Sequence, residues 1–283
     1  MKVDFSKMSF SEKLMYSTVR IQTEYPDGSK GSGTGFYVSF LMNSETAQSI
    51  LCVVTNKHVV KGATKIKMAL PMTNVEMEEG VQWIIMDFCD ELIYDHPSED
   101  LCAINITAIA NIVQKEDKKL IACSIPLTLV PSQEILDNLS AMEDIVMVGY
   151  PDGIWDEVNN KPLFRKGVTA THPKYNFNGR NEFIIDAACF NGSSGSPVFI
   201  LNEGMYSVKN EGSYIGNRIY FMGILYGGPQ HLSQVHQMKA IPGVFSAIPN
   251  NLGCVIKSNA LYQLEEVVKN HQEPDTLRHL GII

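Results

Sequence analysis

Three short segments carry side chains that suit nucleophilic chemistry. The small-residue loop Asn191–Pro197 has Ser194 at its centre. A serine hydroxyl is a weak nucleophile at neutral pH and needs an adjacent base. His58, which follows the apolar run Ile50–Val54, offers an imidazole whose ordinary pKa lies near neutrality. Asp100 precedes a second apolar run, and its carboxylate could accept the other ring N–H of His58. Together these residues predict a serine nucleophile activated by a base.

The loop glycines suggest how a negatively charged intermediate would be stabilised. Gly192 leaves room for its own N–H to point into the site beside the N–H of Ser194. Two such donors stabilise a tetrahedral oxyanion. A plain Ser/Gly surface loop is the alternative interpretation of this motif alone. Asp95 is the nearest rival of Asp100, but an aspartate before a His-Pro pair suits a turn. We therefore prefer Asp100.

Composition and charge exclude several classes of function. The chain has 283 residues and a net charge of −8, which disfavours a nucleic-acid partner. The N-terminus lacks the apolar core of a signal peptide, and no segment approaches a membrane span. The cysteines lie singly, without metal-ligand spacing. The sequence predicts a cytoplasmic protein with no cofactor, no metal and no membrane partner.

Short strand-like runs separated by turn residues predict an all-β fold. Helical spacing of apolar residues is strongest over 258–270, which predicts a C-terminal helix. We expect an N-terminal β-barrel over 14–118, carrying His58 and Asp100, and a linker over 119–139. A C-terminal β-barrel over 140–257 would carry Ser194, followed by a helix and tail over 258–283.

The motifs together resemble those of the trypsin-like serine proteases, and among these the bacterial HtrA/Deg-type branch. The segments that carry the resemblance are Gly31–Phe36, Thr55–Val60, Asp100–Leu101, Val148–Pro151, Gly167–Val168, Ile185–Ala188 and Gly192–Pro197. The resemblance implies two perpendicular six-stranded antiparallel β-barrels with a catalytic triad in the cleft between them. It also implies a serine endopeptidase that acts on polypeptides.

The resemblance assigns roles residue by residue. His58 would be the general base, Asp100 would orient it, and Ser194 would attack the scissile carbonyl. The N–H groups of Gly192 and Ser194 would form the oxyanion hole. The substrate-binding residues would be Ala188, at the base of the primary pocket, and Tyr226, Gly227 and Gly228, which would pair with the substrate backbone. Small or medium apolar side chains are the expected preference.

The chain also departs from the family pattern. Ser193 stands where the family usually has Asp or Asn, so we expect no trypsin-style activation through a new N-terminal amine. The chain ends at Ile283, which leaves no room for a PDZ domain, so peptide sensing of the HtrA kind is not expected.

Two other functions fit the same motifs. One is a peptide- or partner-sensing module on a protease fold, with conditional or no turnover. The other is an esterase, although the Gly-x-Ser-x-Gly elbow of α/β-hydrolases is not matched here. Because an uncontrolled cytosolic protease would be harmful, we expect a loop or a regulatory protein partner to control activity.

Overall fold

An N-terminal sheet is built from runs of β-branched and aromatic residues that alternate with turns. The computed structural model describes residues 4–46, 48–73, 79–87, 90–115, 118–228, 230–234, 245–249 and 251–279. The elements of the N-terminal part are α1 (Phe10–Leu14), β1 (Thr18–Glu24), β2 (Lys30–Phe40), β3 (Ile50–Thr55), α2 (Lys57–Val60), β4 (Lys65–Thr73), β5 (Glu79–Asp87), β6 (Ile93–Asp95), β7 (Cys102–Asn105), α3 (Thr107–Lys115) and β8 (Lys119–Leu120).

This sheet differs from the six-stranded barrel predicted for the N-terminal half. It has eight strands in the order β5-β4-β1-β2-β3-β7-β6, with β8 paired to β4. Two features account for the difference. The pairing of β4 with β5 runs over nine residues, from Lys65 opposite Asp87 to Thr73 opposite Glu79. In the part of the chain that the structure describes, no pairing between β5 and β6 closes the sheet.

Strand β3 lies between β2 and β7 and fixes where the next residues fall. Val53 and Val54 on this strand are fully buried, and Val54 pairs with Phe36 and Ala103. Burying a valine or phenylalanine side chain stabilises a fold by about 1.5–3 kcal/mol. The C-terminal end of β3 is therefore a firmly held point, and His58 follows it by three residues.

The C-terminal half contains the closed barrel that was predicted. Six strands close in the order β10-β11-β18-β15-β12-β9, so the expectation of a six-stranded barrel is confirmed here. The elements are α4 (Gln133–Asn138), β9 (Asp144–Gly149), β10 (Leu163–Thr169), β11 (Glu182–Asp186), β12 (Pro197–Asn202), β13 (Met205–Val208), β14 (Gly212–Ile215), β15 (Arg218–Gly227), β16 (Gln230–Gln234), β17 (Phe245–Pro249), β18 (Leu252–Lys257), α5 (Ala260–Asn270) and α6 (Pro274–His279). The β13–β14 and β16–β17 pairs form separate hairpins.

The predicted C-terminal helix is present as α5, which begins at Ala260. Its buried stripe consists of Ala260, Leu261, Leu264 and Val268. These residues join one apolar cluster with residues of both halves of the molecule. On the exposed side, Glu265 Oε1 accepts a hydrogen bond of 2.9 Å from the backbone N–H of Leu41. The helix therefore ties the C-terminal chain to the N-terminal sheet.

The segment between the two sheets has structure of its own. It holds β8, a 3-10 turn at Leu127–Leu129 and α4, whose N-cap Ser132 accepts a bond from Ile135 N–H. The domain boundaries at 118, 139 and 257 stay predictions.

Candidate active site

His58 lies in the one-turn helix α2, where the sequence had suggested only the end of a strand. A helix of four residues is too short for apolar periodicity to reveal it. Val59 and Val60 anchor this turn in the core, with 5% and 2% of their surface exposed. The His58 side chain is about half exposed. The buried valines therefore hold the backbone of α2, while the imidazole faces outward.

Asp100 contacts His58 at two points. Its Oδ2 lies 2.5 Å from His58 Nδ1, and its Oδ1 accepts the His58 backbone N–H at 3.1 Å. Asn56, which is fully buried at the N-cap position of α2, donates from Nδ2 to the Asp100 backbone carbonyl at 2.8 Å. Both the side chain and the backbone of Asp100 are thus fixed relative to the imidazole. Asn56 was not predicted as a site residue, and the capping preference of asparagine would not have indicated this role, because its side chain makes no cap bond to α2.

The loop around Ser194 lies between β11 and β12 and is held by Thr34 of β2. Thr34 N–H donates to the Ser194 carbonyl at 2.8 Å, and its Oγ1 donates to the Gly192 carbonyl at 3.0 Å. The same Oγ1 accepts the Tyr150 N–H at 3.0 Å, and Thr55 Oγ1 donates to the Thr34 carbonyl at 2.8 Å. Thr34 is fully buried. These bonds bring the Ser194 loop against the end of β3, close in sequence to His58.

Two loop positions require glycine. Gly195 has φ +86°, and a Cβ there would lie 1.9 Å from the Thr34 carbonyl oxygen. Gly192 has φ +81°, and a Cβ there would lie 2.7 Å from the Tyr150 carbonyl oxygen. Other residues are strained at such φ values, and here they would also collide with backbone. The close approach of the loop to Thr34 and Tyr150 therefore depends on both glycines.

The backbone donors of the loop fall into two groups. Ser193, Gly195 and Ser196 donate to Phe190, Leu225 and Ser193 carbonyls. Among the described residues, the N–H groups of Gly192 and Ser194 have no acceptor. Two unpaired N–H groups beside a serine hydroxyl can donate to an oxyanion that forms there.

Ser194 Oγ donates to the Tyr226 carbonyl at 3.3 Å. Within the described parts of the chain it makes no hydrogen bond to His58, so the expected contact between Ser194 and His58 is not formed. In the structure His58 contacts Asp100, whereas Ser194 contacts Tyr226. Hydrogen bonds of this kind often tighten only when substrate is present.

Three of the four predicted substrate-binding residues line one apolar cavity of about 750 Å³. They are Tyr226, Gly227 and Gly228. The others that line it are Ala170, Thr171, Phe177, Arg180, Ile184, Leu252 and Cys254. Ala188 is not among them, and its carbonyl accepts a 2.9 Å bond from Arg165 Nη1. The end of β15 and the residue that follows it thus border this cavity, and Ala188 does not.

A hydrogen-bonded network holds the Tyr226 side chain. Its hydroxyl donates to Glu182 Oε2 at 2.5 Å, and Glu182, only 4% exposed, pairs with Arg180 at 2.7 Å. Burial and the bond to Glu182 raise the pKa of Tyr226 well above its ordinary value, so the hydroxyl stays protonated and remains a donor. The network fixes the backbone carbonyl that Ser194 now contacts. Sequence patterns gave no signal for this pairing, because 44 residues separate its partners.

The described residues contain no group of three or more His, Cys, Asp or Glu side chains placed to hold a metal ion. None of the helices in the described ranges is long and apolar enough to span a bilayer.

Comparison with known proteins places this chain in a family. A family model described as a trypsin-like peptidase domain matches residues 33–205, more than half of the chain. No curated protein matches. Similar solved structures include the active form of the Rv3671c protease from M. tuberculosis (16% identity, 91% of this chain and 83% of that chain covered, TM-score 0.47). Another is the HtrA-type protease AlgW with a tripeptide (14% identity, 94% of this chain and 65% of that chain covered, TM-score 0.49). A third is the protease Anisep from Arthrobacter nicotinovorans (14% identity, 90% of this chain and 96% of that chain covered, TM-score 0.49).

Proposed function

Because this chain belongs to the trypsin-like peptidase domain family, we propose that it is a serine endopeptidase acting through Ser194, His58 and Asp100. The observation that carries the proposal is the two-point contact of Asp100 with His58, at 2.5 Å and 3.1 Å. A carboxylate on Nδ1 leaves Nε2 as the acceptor and stabilises the imidazolium once it forms.

The proposed reaction begins with a rotation of the Ser194 side chain. Its Oγ leaves the Tyr226 carbonyl and donates to His58 Nε2. As Oγ attacks the scissile carbonyl carbon, its proton passes to Nε2, and the Gly192 and Ser194 N–H groups stabilise the oxyanion. His58 then protonates the leaving amine, and an acyl-enzyme on Ser194 remains. Water, deprotonated by His58, hydrolyses this ester and restores the serine.

The cavity beside Tyr226 supports a substrate with apolar side chains. Its lining is largely apolar, with Ile184, Leu252 and Phe177 among its walls. A Cβ at Gly227 would meet nothing within 4 Å, so this residue leaves space for an extended polypeptide, whereas Gly228 packs against the Leu252 carbonyl. We propose that a polypeptide pairs with this segment and places an apolar side chain in the cavity.

A second candidate function is a peptide- or partner-sensing module with conditional turnover. The bond from Ser194 Oγ to the Tyr226 carbonyl favours it, because the nucleophile is then not aligned with the base. In this case a regulatory protein or the substrate itself would trigger the rotation. The two candidates differ in whether the pure protein turns over without an addition.

Cleavage of an unfolded protein tests the proposal. Purified wild type and Ser194→Ala are incubated with casein, and new amino termini are identified by mass spectrometry. The matched control is Ser213→Ala, because Ser213 is an exposed serine on the β13–β14 hairpin. We expect cleavage by wild type and S213A and none by S194A. Equal cleavage by S194A contradicts the proposal, and cleavage that needs an added partner favours the second candidate.

A further inference from the structure

A second cavity, of about 460 Å³, lies at one end of the C-terminal barrel. The segment before α4, the loop between β10 and β11 and the start of α5 enclose it. Its lining residues are Pro131, Ser132, Gln133, Leu136, Pro173, Lys174, Asn176, Asn181, Phe183, Met222, Lys257, Ser258, Asn259 and Tyr262. None of them lines the cavity beside Tyr226. This volume is within the range of small-molecule sites.

Lys257 is the unusual residue of this cavity. It ends β18 two residues after Val255, a residue of the barrel core, so strand alternation directs its side chain inward. Only 7% of Lys257 is exposed. Its Nζ donates to Asn176 Oδ1 at 2.8 Å, and it forms no ion pair within the described ranges. Burial lowers the pKa of Lys257, with no neighbouring carboxylate to oppose the shift.

A buried ammonium without a counter-charge is costly, because protein interiors solvate an isolated ion poorly. The amide oxygen of Asn176 meets one of its three N–H donors. The other two need acceptors, and a bound anion would provide both acceptors and charge. Charge-assisted hydrogen bonds of this kind are among the strongest in proteins.

The rest of the lining also suits an anion. Lys174 brings a second positive charge, which a 3.7 Å ion pair with half-exposed Asp137 compensates only in part. Ser132 Oγ accepts from Ile135 N–H, which leaves its own O–H free to donate into the cavity. Phe183 and Met222, both buried, supply an apolar floor. The cavity therefore combines two cations and polar donors with a wall that can contact carbon atoms.

We propose that this cavity binds a small anion through a phosphate or carboxylate group held by Lys257 and Lys174. The site is separate from the peptidase residues and does not depend on their function. Because the ligand would contact the segment before α4, the β10–β11 loop and the start of α5 together, binding stabilises the folded chain.

Calorimetric titration of the whole chain tests this site. The probes are inorganic phosphate and acetate, each at constant ionic strength set with chloride. We expect saturable binding of at least one anion, and the one that binds identifies the group. Lys257→Met should weaken that binding about tenfold or more, as loss of a charged hydrogen-bond partner predicts. The matched control is Lys166→Met, because Lys166 is an exposed lysine that pairs with Asp144.

Two results overturn the proposal. One is the absence of binding of either anion above the chloride control. The other is equal affinity in wild type and K257M. If K257M does not fold, as circular dichroism would show, Lys174→Met decides, because Lys174 is partly exposed and lies in a loop. Unchanged affinity in K174M then contradicts the assignment.

Discussion

The two halves of the molecule hold their reactive groups in different ways. In the N-terminal half, His58 is fixed by two contacts with Asp100, and Asn56 fixes Asp100 in turn. In the C-terminal half, the Ser194 backbone is held by Thr34, but its hydroxyl has a single 3.3 Å bond to the Tyr226 carbonyl. His58 is therefore oriented by its neighbours, whereas the Ser194 hydroxyl would have to turn from the Tyr226 carbonyl to reach it in the proposed reaction.

The largest effect should come from a substitution in the N-terminal half, where Asp100 orients His58. We expect Asp100→Asn to lower peptidase activity about 10⁴-fold, because an amide fixes the wrong imidazole tautomer. The assay is the rate of peptide-bond cleavage, with folding checked by circular dichroism. Asp95→Asn is the matched control, since Asp95 is exposed at the end of β6 and should tolerate the change. A comparable loss in D95N would mean that the wrong carboxylate was chosen.

In the other half, the backbone of the loop should be the sensitive element. Gly195→Ala would add strain at φ +86° and a collision with the Thr34 carbonyl. We expect it to lower the free energy of unfolding by about 4 kcal/mol, at the high end for a single substitution. Urea denaturation measures this. Gly204→Ala separates backbone strain from collision, because Gly204 has φ +95° but open space around it. We expect this control substitution to lower the free energy of unfolding by about 1 kcal/mol.

Thr34 of the N-terminal half forms hydrogen bonds to the C-terminal half. We expect its hydroxyl to contribute more to stability than its packing does. Thr34→Val leaves the Gly192 carbonyl and the Tyr150 N–H without their partner. We expect a loss of about 2 kcal/mol in the free energy of unfolding, together with slower turnover as the Gly192 peptide loosens. Denaturation and cleavage rates are measured on the same samples. Thr34→Ser should restore both, and failure of that rescue would show that packing, not hydrogen bonding, is at work.

The smallest expected effect concerns pH and the loop that carries Asp100. His96 is fully buried, and its Nδ1 accepts the N–H groups of Ser98 and Glu99. Burial, and then the nearby Lys57 charge, lower the pKa of His96. In the unfolded chain the imidazole takes up a proton near pH 6.5, whereas in the folded chain it does so only at a lower pH. The free energy of unfolding therefore falls as the pH drops from about 6.5 through the pKa of folded His96.

His96→Asn keeps an acceptor for the two N–H groups but cannot titrate. We expect its free energy of unfolding to decline less than that of wild type as the pH falls below about 6.5. Denaturant titrations across this interval measure the difference. If the free energy of unfolding depends on pH in the same way in wild type and H96N, His96 does not cause the decline.

Local sequence signals sufficed where a pattern is long enough to repeat. The run Ile50–Thr55 is a strand with the predicted bounds, and the apolar stripe of α5 lies where its spacing indicated. The four-residue helix α2 was missed because one turn has no period. Strand β8 was missed because its pairing with β4 joins residues far apart in the chain. Contacts of that kind leave no mark on a single sequence.

The same limit applies to the site. The types and order of the residues predicted His58, Asp100 and Ser194, since an imidazole, a carboxylate and a hydroxyl each indicate their chemistry without knowledge of the fold. The residues that hold these three side chains in place could not be predicted. Thr34 meets Ser194 across more than 150 positions, and Tyr226 meets Glu182 across a barrel. Lys257 looked like any strand-end lysine until the fold buried it.

The most direct measurement is the site of covalent labelling by a fluorophosphonate, mapped by tandem mass spectrometry. This reagent reacts only with a serine that a base has activated. We predict one phosphonylated residue, Ser194, with the label lost in S194A and sharply reduced in D100N. A label on another serine, or undiminished labelling of D100N, would contradict the claim that His58 and Asp100 activate Ser194.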